Sequence, residues 1–526
     1  MKTRYILVFD HGTTSIRACL MDHAGQIVAR SQQQFEQIYP KPGWVEHEPN
    51  TLWKITLDVA RDVLAKQKID WPAIAAVALT NQRETAILWD KETGEPVHNA
   101  IVWQCRRTAD LCERLKREGH APVISEKTGL VLDAYFSGSK IHWMLTQVPR
   151  AQELLAQDRL LFGTVDTWIL WKLSGGTVHV TDYTNASRTM LFNIHERRWD
   201  ADLMRLFDVP ESILPEVKPS NQVYGMMDPG LTGGVEVPLA GIAGDQQAAL
   251  HGQKCWTPGT AKSTYGTGAF LVMNTGREYV HSHQGLLTTL ATDAQGNPAY
   301  ALEGAIFFAG AALEWLTKKL GVIENVRDID QLAGSLPDNE GVYMVPAFAG
   351  LGAPYWDADA RGGLFGLTQD SGKAHLVRAA LEAMAYQTRE VLDAMQQEAH
   401  LSLEALRVDG GVTRSNFLVQ FLADMLQVPV VRTDDAELTA KGAGYLAGLA
   451  VGFWESPEAI ARLPEQTERF EPKMAAPTQE RLFEGWHSAV SRVLTDKATA
   501  FAANNHPGLG KSEENPLMKA GMNLQG

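Results

Sequence analysis

The sequence predicts an α/β protein built as two large lobes, and three observations carry that reading. At 526 residues the chain exceeds what one ordinary hydrophobic core accommodates. Short apolar runs alternate with longer stretches of helical spacing, which is the grammar of α/β folds. Two segments, one at the N-terminus and one just past the middle, share a pattern of apolar run, glycine turn and second apolar run.

The first of these is "YILVFDHGTTSIRACLMD". Tyr5 to Phe9 reads as a buried strand and Ile16 to Met21 as its partner, which leaves Asp10, Gly12, Thr13, Thr14 and Ser15 at the tip. A glycine turn offers backbone N–H groups, hydroxyls add donors, and a carboxylate beside them suits a hydrated divalent cation on a phosphate tail. The same residues also make an ordinary hairpin turn. Next, "NTLWKITLDVARDVLAKQ" has helical spacing, while "AAVALTN" and "TAILWD" read as strands. The glycine-rich "YGMMDPGLTGGVEVPLAGIAGDQQAAL" is expected to be a loop leading to a boundary near residue 250, dividing residues 1–250 from 251–500. The second hairpin, "AKSTYGTGAFLVMNTG", then opens the second lobe, so that phosphates would lie between Thr13 and Thr14 on one side and Thr267 on the other. Gly410 and Gly411 end the strand-like "ALRVDGG" and precede the amphipathic "VTRSNFLVQFLADML"; they form either a tight turn or a close approach to a ligand. Small residues in "TAKGAGYLAGLAVGFW" let a helix pack closely on its neighbours. Residues 501–526, polar and rich in Gly, Pro and Asn, are expected to form a mobile tail.

A hydrophobic content of 45% is that of a soluble globular protein, and a net charge of −14 argues against a nucleic-acid partner held by bulk electrostatics. Any phosphate site must be built locally. Cys19, Cys105, Cys112 and Cys255 are widely spaced and suggest neither zinc nor a disulfide framework. With no signal peptide or membrane span in the sequence, a cytoplasmic enzyme is expected.

Two further stretches carry chemistry. In "TNQRETAILWD", Arg83 and Glu84 are adjacent and would point to opposite faces of a regular strand, so a shared ligand requires the strand to break there. They either grip vicinal hydroxyls or form a salt bridge. In "GIAGDQQAALHG", Asp245 and Gln246 follow a strand end, where a carboxylate either takes a proton from a substrate hydroxyl or caps a helix.

The order of "DHGTTS", "TNQRET", "IVWQCRR", "YFSGSK", "FGTVDTW", "DYTNASRTMLFN", "GIAGDQQAAL", "YGTGAF", "PAFAGLGAPYWD" and "VDGG" closely resembles the sugar-kinase family that includes xylulose and ribulose kinases. "TNQRETAILW" with "NAIVWQCRR" is similar to its glycerol branch. The resemblance runs from about residue 4 to residue 456. It implies two lobes of the actin-like ATPase (ribonuclease H-like) type, each a mixed sheet flanked by helices, closing on a nucleotide cleft. It also implies transfer of the ATP γ-phosphoryl group to a terminal hydroxyl of glycerol, with Mg2+ as cofactor. Carried over by position, Arg83, Glu84, Tyr135, Asp245 and Gln246 would contact the polyol, and Trp103 and Phe270 would pack on its carbons. Asp245 would be the base and Asp10 the metal carboxylate. Thr13, Thr14, Ser15 and Arg17 would serve the phosphates, with Thr267, Gly310, Glu314, Gly411 and Ser415 on the nucleotide side. A pocket pairing each glycerol hydroxyl would leave Arg83 or Glu84 unsatisfied when one is missing, costing on the order of 1–3 kcal/mol. The family also implies a homodimer or homotetramer.

The chain departs from the resemblance at five positions. His11 stands where glutamine is common, Ser415 where asparagine is frequent, and Glu314 where glutamine is common. Glu236 replaces the arginine that recognises fructose bisphosphate in inhibited relatives, and Thr478 replaces a carboxylate used to bind a phosphocarrier, so weak or absent response to both is expected. A kinase of another polyol or ketose, and a non-catalytic actin-like ATPase, are the competing readings; the set Arg83, Glu84, Trp103 and Tyr135 favours glycerol.

Overall fold

The computed structural model describes residues 4–495 apart from residue 358. The tail expected at 501–526 lies outside the described residues. The first lobe opens with the expected hairpin, β1 (Tyr5–His11) and β2 (Ser15–Met21), followed by β3 (Ile27–Gln34) antiparallel to β2. Helix α1 (Pro49–Gln67) starts where the Glu48 carboxylate accepts the N–H groups of Asn50 and Thr51, and stops at Lys68 in the left-handed region. Strand β4 (Ile74–Asn81) runs parallel to β1.

The glycine-rich stretch expected to be a loop instead forms β5 (Val223–Met226), a short helix Pro229–Thr232, and β6 (Pro238–Gly244), which joins the sheet beside β4. Gly233 and Gly234, with φ of 64° and 87°, make the turn before β6, while Tyr224, Leu239 and Ile242 are buried in the core. Burial of these apolar residues outweighs the local glycine signal. Helix α2 (Asp245–Gly252) follows directly. The six-stranded sheet has the order β5-β6-β4-β1-β2-β3.

The second lobe is built on β7 (Ala261–Tyr265), β8 (Ala269–Gly276), β9 (Leu287–Thr292) and β10 (Pro298–Ile306). Helices α3 (Gly310–Lys318) and α4 (Lys373–Ala399) precede β11 (Leu406–Asp409). Then come α5 (Asn416–Leu426), β12 (Val430–Thr433), α6 (Leu438–Ala450) and β13 (Thr467–Phe470). Its seven-stranded sheet has the order β9-β10-β8-β7-β11-β12-β13. Helix α5 starts later than its apolar pattern suggests, because Gly411–Arg414 forms a 3-10 turn and Ser415 caps the helix. The echo between the two hairpins extends to whole sheets. In each, a run of antiparallel strands, β1-β2-β3 in the first sheet and β7-β8-β10-β9 in the second, continues on its other side into two parallel strands, β4 then β6 beyond β1, and β11 then β12 beyond β7.

Helix α6 comes late in the chain yet packs on the first sheet, against β1, β4 and β6, and against α2. The sheet face toward α6 carries Ile6, Val8, Ala76, Ala78 and Ala240, whereas the α1 face carries Leu7, Phe9, Val77 and Leu79. Small residues on both partners bring the backbones close, as the sequence expects. A Cβ on Gly442 would stand 1.8 Å from the Ala248 carbonyl oxygen, and one on Gly252 would stand 2.1 Å from that of Leu438. Gly442→Ala is expected to destabilise the fold by about 1–3 kcal/mol, read as a lower urea midpoint; an unchanged midpoint would contradict this packing.

Candidate active site

Parallel strands β1, β4 and β6 end in register, with Asp10 opposite Thr80, His11 opposite Asn81, and Gly244 opposite Asn81. Three segments therefore leave one sheet edge together: the 12–14 turn, the Gln82–Thr85 loop and Asp245. Carboxyl ends of parallel strands are where open α/β sheets place ligands.

The tip of the first hairpin is closed by the Gly12 N–H donating to the Ser15 carbonyl at 3.0 Å, which leaves Thr14 exposed and Thr13 and Ser15 half-buried. Asp10 is buried behind it and pairs with Arg17 at 2.9 Å. Burial raises its carboxyl to about 6; Arg17 opposes the rise, and Asp245 and Glu437 add to it. Arg17 also donates to Glu437, the residue before α6, at 3.1 Å. His11 is buried with Nε2 2.9 Å from the Thr56 hydroxyl, and burial lowers its pKa to about 3, so it stays neutral near physiological pH.

The strand breaks at the Arg83–Glu84 step, where Glu84 adopts φ of 61°. That break turns both side chains inward. Arg83 is not an open fork: its terminal nitrogens hold Glu303 of β10 at 2.5 and 3.1 Å. Its Nε faces Asp245 at 3.3 Å. Glu84 accepts from Arg188 Nε at 2.6 Å, and Arg188 also reaches Glu303 at 3.0 Å. Arg83, Glu84, Arg188 and Glu303 thus form a buried cluster of two cations and two anions that joins the lobes. Burial pushes both carboxyls up. It prevails at Glu84, whereas Arg188 and Arg83 overcome it at Glu303 and bring that group to about 2.

Asp245 begins α2, accepts the Gln246 N–H at 2.7 Å and keeps its carboxylate 32% exposed. Burial holds its pKa above the ordinary value, against Arg83 and Lys262. Gln246 accepts from Lys262 Nζ of β7 at 2.5 Å, and that ammonium also reaches the Phe270 carbonyl at 3.4 Å. Trp103 and Tyr135 meet edge to face at 5.5 Å, with the Arg188 guanidinium 5.6 Å from the Tyr135 ring. The Trp103 indole donates to the Thr13 hydroxyl at 3.0 Å, so an expected polyol wall touches an expected phosphate turn.

On the second sheet, exposed Thr267 sits at the tip of the β7–β8 hairpin, and its carbonyl accepts from Ala309 and Ala311. Gly310 donates to the Gly266 carbonyl at 3.0 Å. A Cβ on Gly410, whose φ is 102°, would stand 2.2 Å from the Tyr265 carbonyl oxygen, whereas the space over Gly411 is open. The first glycine of the pair is needed for the chain path, and the second presents bare backbone. Glu314 and Ser415 have other engagements. Glu314 pairs with Lys318 at 2.6 Å, and the Ser415 hydroxyl caps α5 and donates to Asp330.

Arg188, Glu303 and Lys262 are central here yet were not among the candidates read from the sequence. Their signal was a charge inside an apolar or strand-like run, in "NASRTMLF", "YALEGAIF" and "AKSTYG".

Models of the N-terminal and C-terminal domains of the FGGY family of carbohydrate kinases match residues 5–252 and 261–451. The chain belongs to that family. It is 55% identical to a glycerol kinase of Thermoanaerobacter sp. (strain X514) over 93% of this chain and 99% of the relative, and 53% identical over the same shares to glycerol kinase 2 of Thermotoga maritima (strain ATCC 43589 / DSM 3109 / JCM 10099 / NBRC 100826 / MSB8). Its fold matches the crystal structure of Plasmodium falciparum glycerol kinase with ADP at a TM-score of 0.89 and 34% identity, covering 94% of this chain and 99% of that one.

Proposed function

We infer that this protein is an ATP-dependent glycerol kinase, transferring the γ-phosphoryl group to a terminal hydroxyl. The observation that carries the reading is the gathering of Asp10, Arg83, Glu84 and Asp245 at adjacent strand ends, in a chain more than half identical to glycerol kinases. Phosphoryl transfer asks a protein chiefly for alignment and charge neutralisation. Asp245, at the cleft end of α2, takes the proton of the attacking hydroxyl; its raised pKa suits that task. Gln246, fixed by Lys262, and the Nε edge of Arg83 orient the acceptor, while Trp103 and Tyr135 cover its carbons. Because Glu303 fills the fork of Arg83, selectivity rests on Asp245, Gln246 and the aromatic wall more than on an arginine left unpaired by a missing hydroxyl. Thr13, Thr14, Ser15 and Arg17 face the phosphates, with Thr267 and Gly411 opposite. Ser415, used as a helix cap, holds the chain path there and not the base.

No cluster of three or more metal-ligating side chains occurs among the described residues, so a magnesium ion would be held by nucleotide phosphates and one or two carboxylates. Asp10 fits that part: burial and its acidic neighbours destabilise its charge, and a dication would relieve them. Bound there, magnesium would neutralise phosphate charge. Above pH about 6 Asp10 is ionised and attracts the cation; below it, protonation makes it resemble Asn. The advantage of the unaltered protein over Asp10→Asn in MgADP affinity is therefore expected to shrink as pH falls through 6, measured by calorimetry from pH 5 to 7.5. A pH-independent difference would remove Asp10 from this role.

Glu236 is exposed, as a carboxylate repelling a bisphosphate would be, which supports the expected weak response to that effector. The activity itself is tested by ADP release from MgATP with glycerol, dihydroxyacetone, erythritol, xylulose or ribulose. Turnover on glycerol is expected, and turnover on a ketose alone would overturn the reading.

A further inference from the structure

Behind the phosphate turn lies a hydrogen-bonded relay centred on His47, a fully buried residue. The Gln82 side-chain amide donates to the Gly12 carbonyl and to His47 Nδ1, both at 3.3 Å. His47 Nε2 donates to the Gln37 carbonyl oxygen Oε1 at 2.6 Å, and the Gln37 amide donates to the Thr13 carbonyl at 2.9 Å. On the other side, Thr85 donates to Gln82 Oε1 at 3.0 Å and accepts the Trp103 backbone N–H at 3.3 Å, while the Trp103 indole returns to the Thr13 hydroxyl at 3.0 Å. The result is a closed ring. It runs from the phosphate turn through His47 to the loop bearing Arg83 and Glu84, on to the indole of the polyol wall, and back to the turn.

Donor and acceptor roles close without conflict only for a neutral imidazole carrying its proton on Nε2, since Nδ1 must accept from Gln82. A network built around a buried imidazole with its donors and acceptors matched in this way has one good arrangement and resists partial displacement. Movement of the Gln82–Thr85 loop or of Trp103 on polyol binding is thus transmitted to the Gly12 and Thr13 carbonyls, whose peptide planes aim the N–H groups of the turn.

We propose that His47, with Gln37 and Gln82, is a positioning device that couples occupancy of the polyol site to the phosphate turn, so that γ-phosphoryl transfer to water is suppressed until glycerol is bound. The inference rests on the glycerol kinase reading. In hydrolysis, water attacks phosphorus, the bond to the ADP oxygen breaks, and ADP and inorganic phosphate leave with the proton released to solvent. Glycerol 3-phosphate takes the place of inorganic phosphate in transfer.

The test compares three variants with the unaltered protein, measuring ADP and inorganic phosphate release from MgATP with and without saturating glycerol. In His47→Leu and Gln37→Leu, hydrolysis without glycerol, as a share of transfer with it, is expected to rise at least about fivefold, the lower end of ordinary coupling between sites. His47→Gln supplies one acceptor and one donor like the neutral ring and is expected to stay within about twofold of the unaltered ratio. A residue that only supports the fold would lower both rates together and leave the ratio unmoved. Should His47→Leu fail to fold, Gln37→Leu carries the test, because Gln37 is half-buried at the outer end of the relay. An unchanged ratio in the folded leucine variants, or uncoupling by His47→Gln as large as that by His47→Leu, overturns the proposal. Absence of glycerol turnover in the unaltered protein overturns the functional reading and this inference with it.

Discussion

Replacing Asp245 by Asn is expected to lower kcat for glycerol phosphorylation by about two to four orders of magnitude, the range over which a positioned general base acts. The substitution is nearly isosteric. Its amide oxygen can still accept the Gln246 N–H, and Arg83 keeps its bidentate hold on Glu303, so the loop and the α2 start are retained. What is lost is a group able to take a proton at the cleft. Steady-state ADP release in saturating glycerol reads the effect, with the urea midpoint as control for folding. A loss smaller than tenfold in a folded variant would show that solvent or another group carries the proton, leaving Asp245 to orient the acceptor.

The largest effect on stability is expected at Glu303. Glu303→Gln leaves the two buried guanidinium groups of Arg83 and Arg188 with Glu84 as the one buried carboxylate between them, and removing one charge of a buried pair in this way costs about 3–5 kcal/mol. Denaturant unfolding at neutral pH measures it. The pH dependence separates this account from simple loss of packing. Glu303 titrates at about 2 in the folded protein, below its ordinary value of 4.5. Its ionisation therefore stabilises the fold above pH 4.5, and that contribution drains away as pH falls from 4.5 toward 2. Glu84 opposes this in part: its carboxyl is pushed up, so the stability it contributes is present at low pH and lost as pH rises through its folded value. The unaltered protein is expected to lose its advantage over Glu303→Gln within the 4.5-to-2 window. An equal difference at pH 7 and pH 2.5 would point to packing alone.

What was legible in the sequence followed local rules. The hairpin at Tyr5–Met21, the helix at Pro49–Gln67 and the echo at Ala261–Gly276 are each specified by neighbouring residues, and the structure has all three. The stretch from Tyr224 was misread because glycine frequency was weighed above its alternating apolar residues, whose burial forms β5 and β6. The Arg83–Glu84 step was recognised as needing a broken strand, but its real partners are 104 to 220 positions away, as Arg188 and Glu303. No spacing rule announces such pairs. His47 was invisible for the same reason: its role exists only once three loops meet.

The placement of α6 sets the order in which a growing chain can complete itself. The strands of the first sheet are all synthesised by residue 244, but the layer that shields one of its faces arrives only with residues 438–450. At roughly 5–20 residues per second, the intervening stretch takes on the order of 10–40 s to make. Throughout that interval Ile6, Val8, Cys19 and Met21 lack their final cover. A fragment ending near residue 250 would keep that face bare indefinitely, so a ribosome-bound or truncated first lobe is a natural client for chaperones, and its solubility depends on a helix encoded nearly two hundred codons downstream.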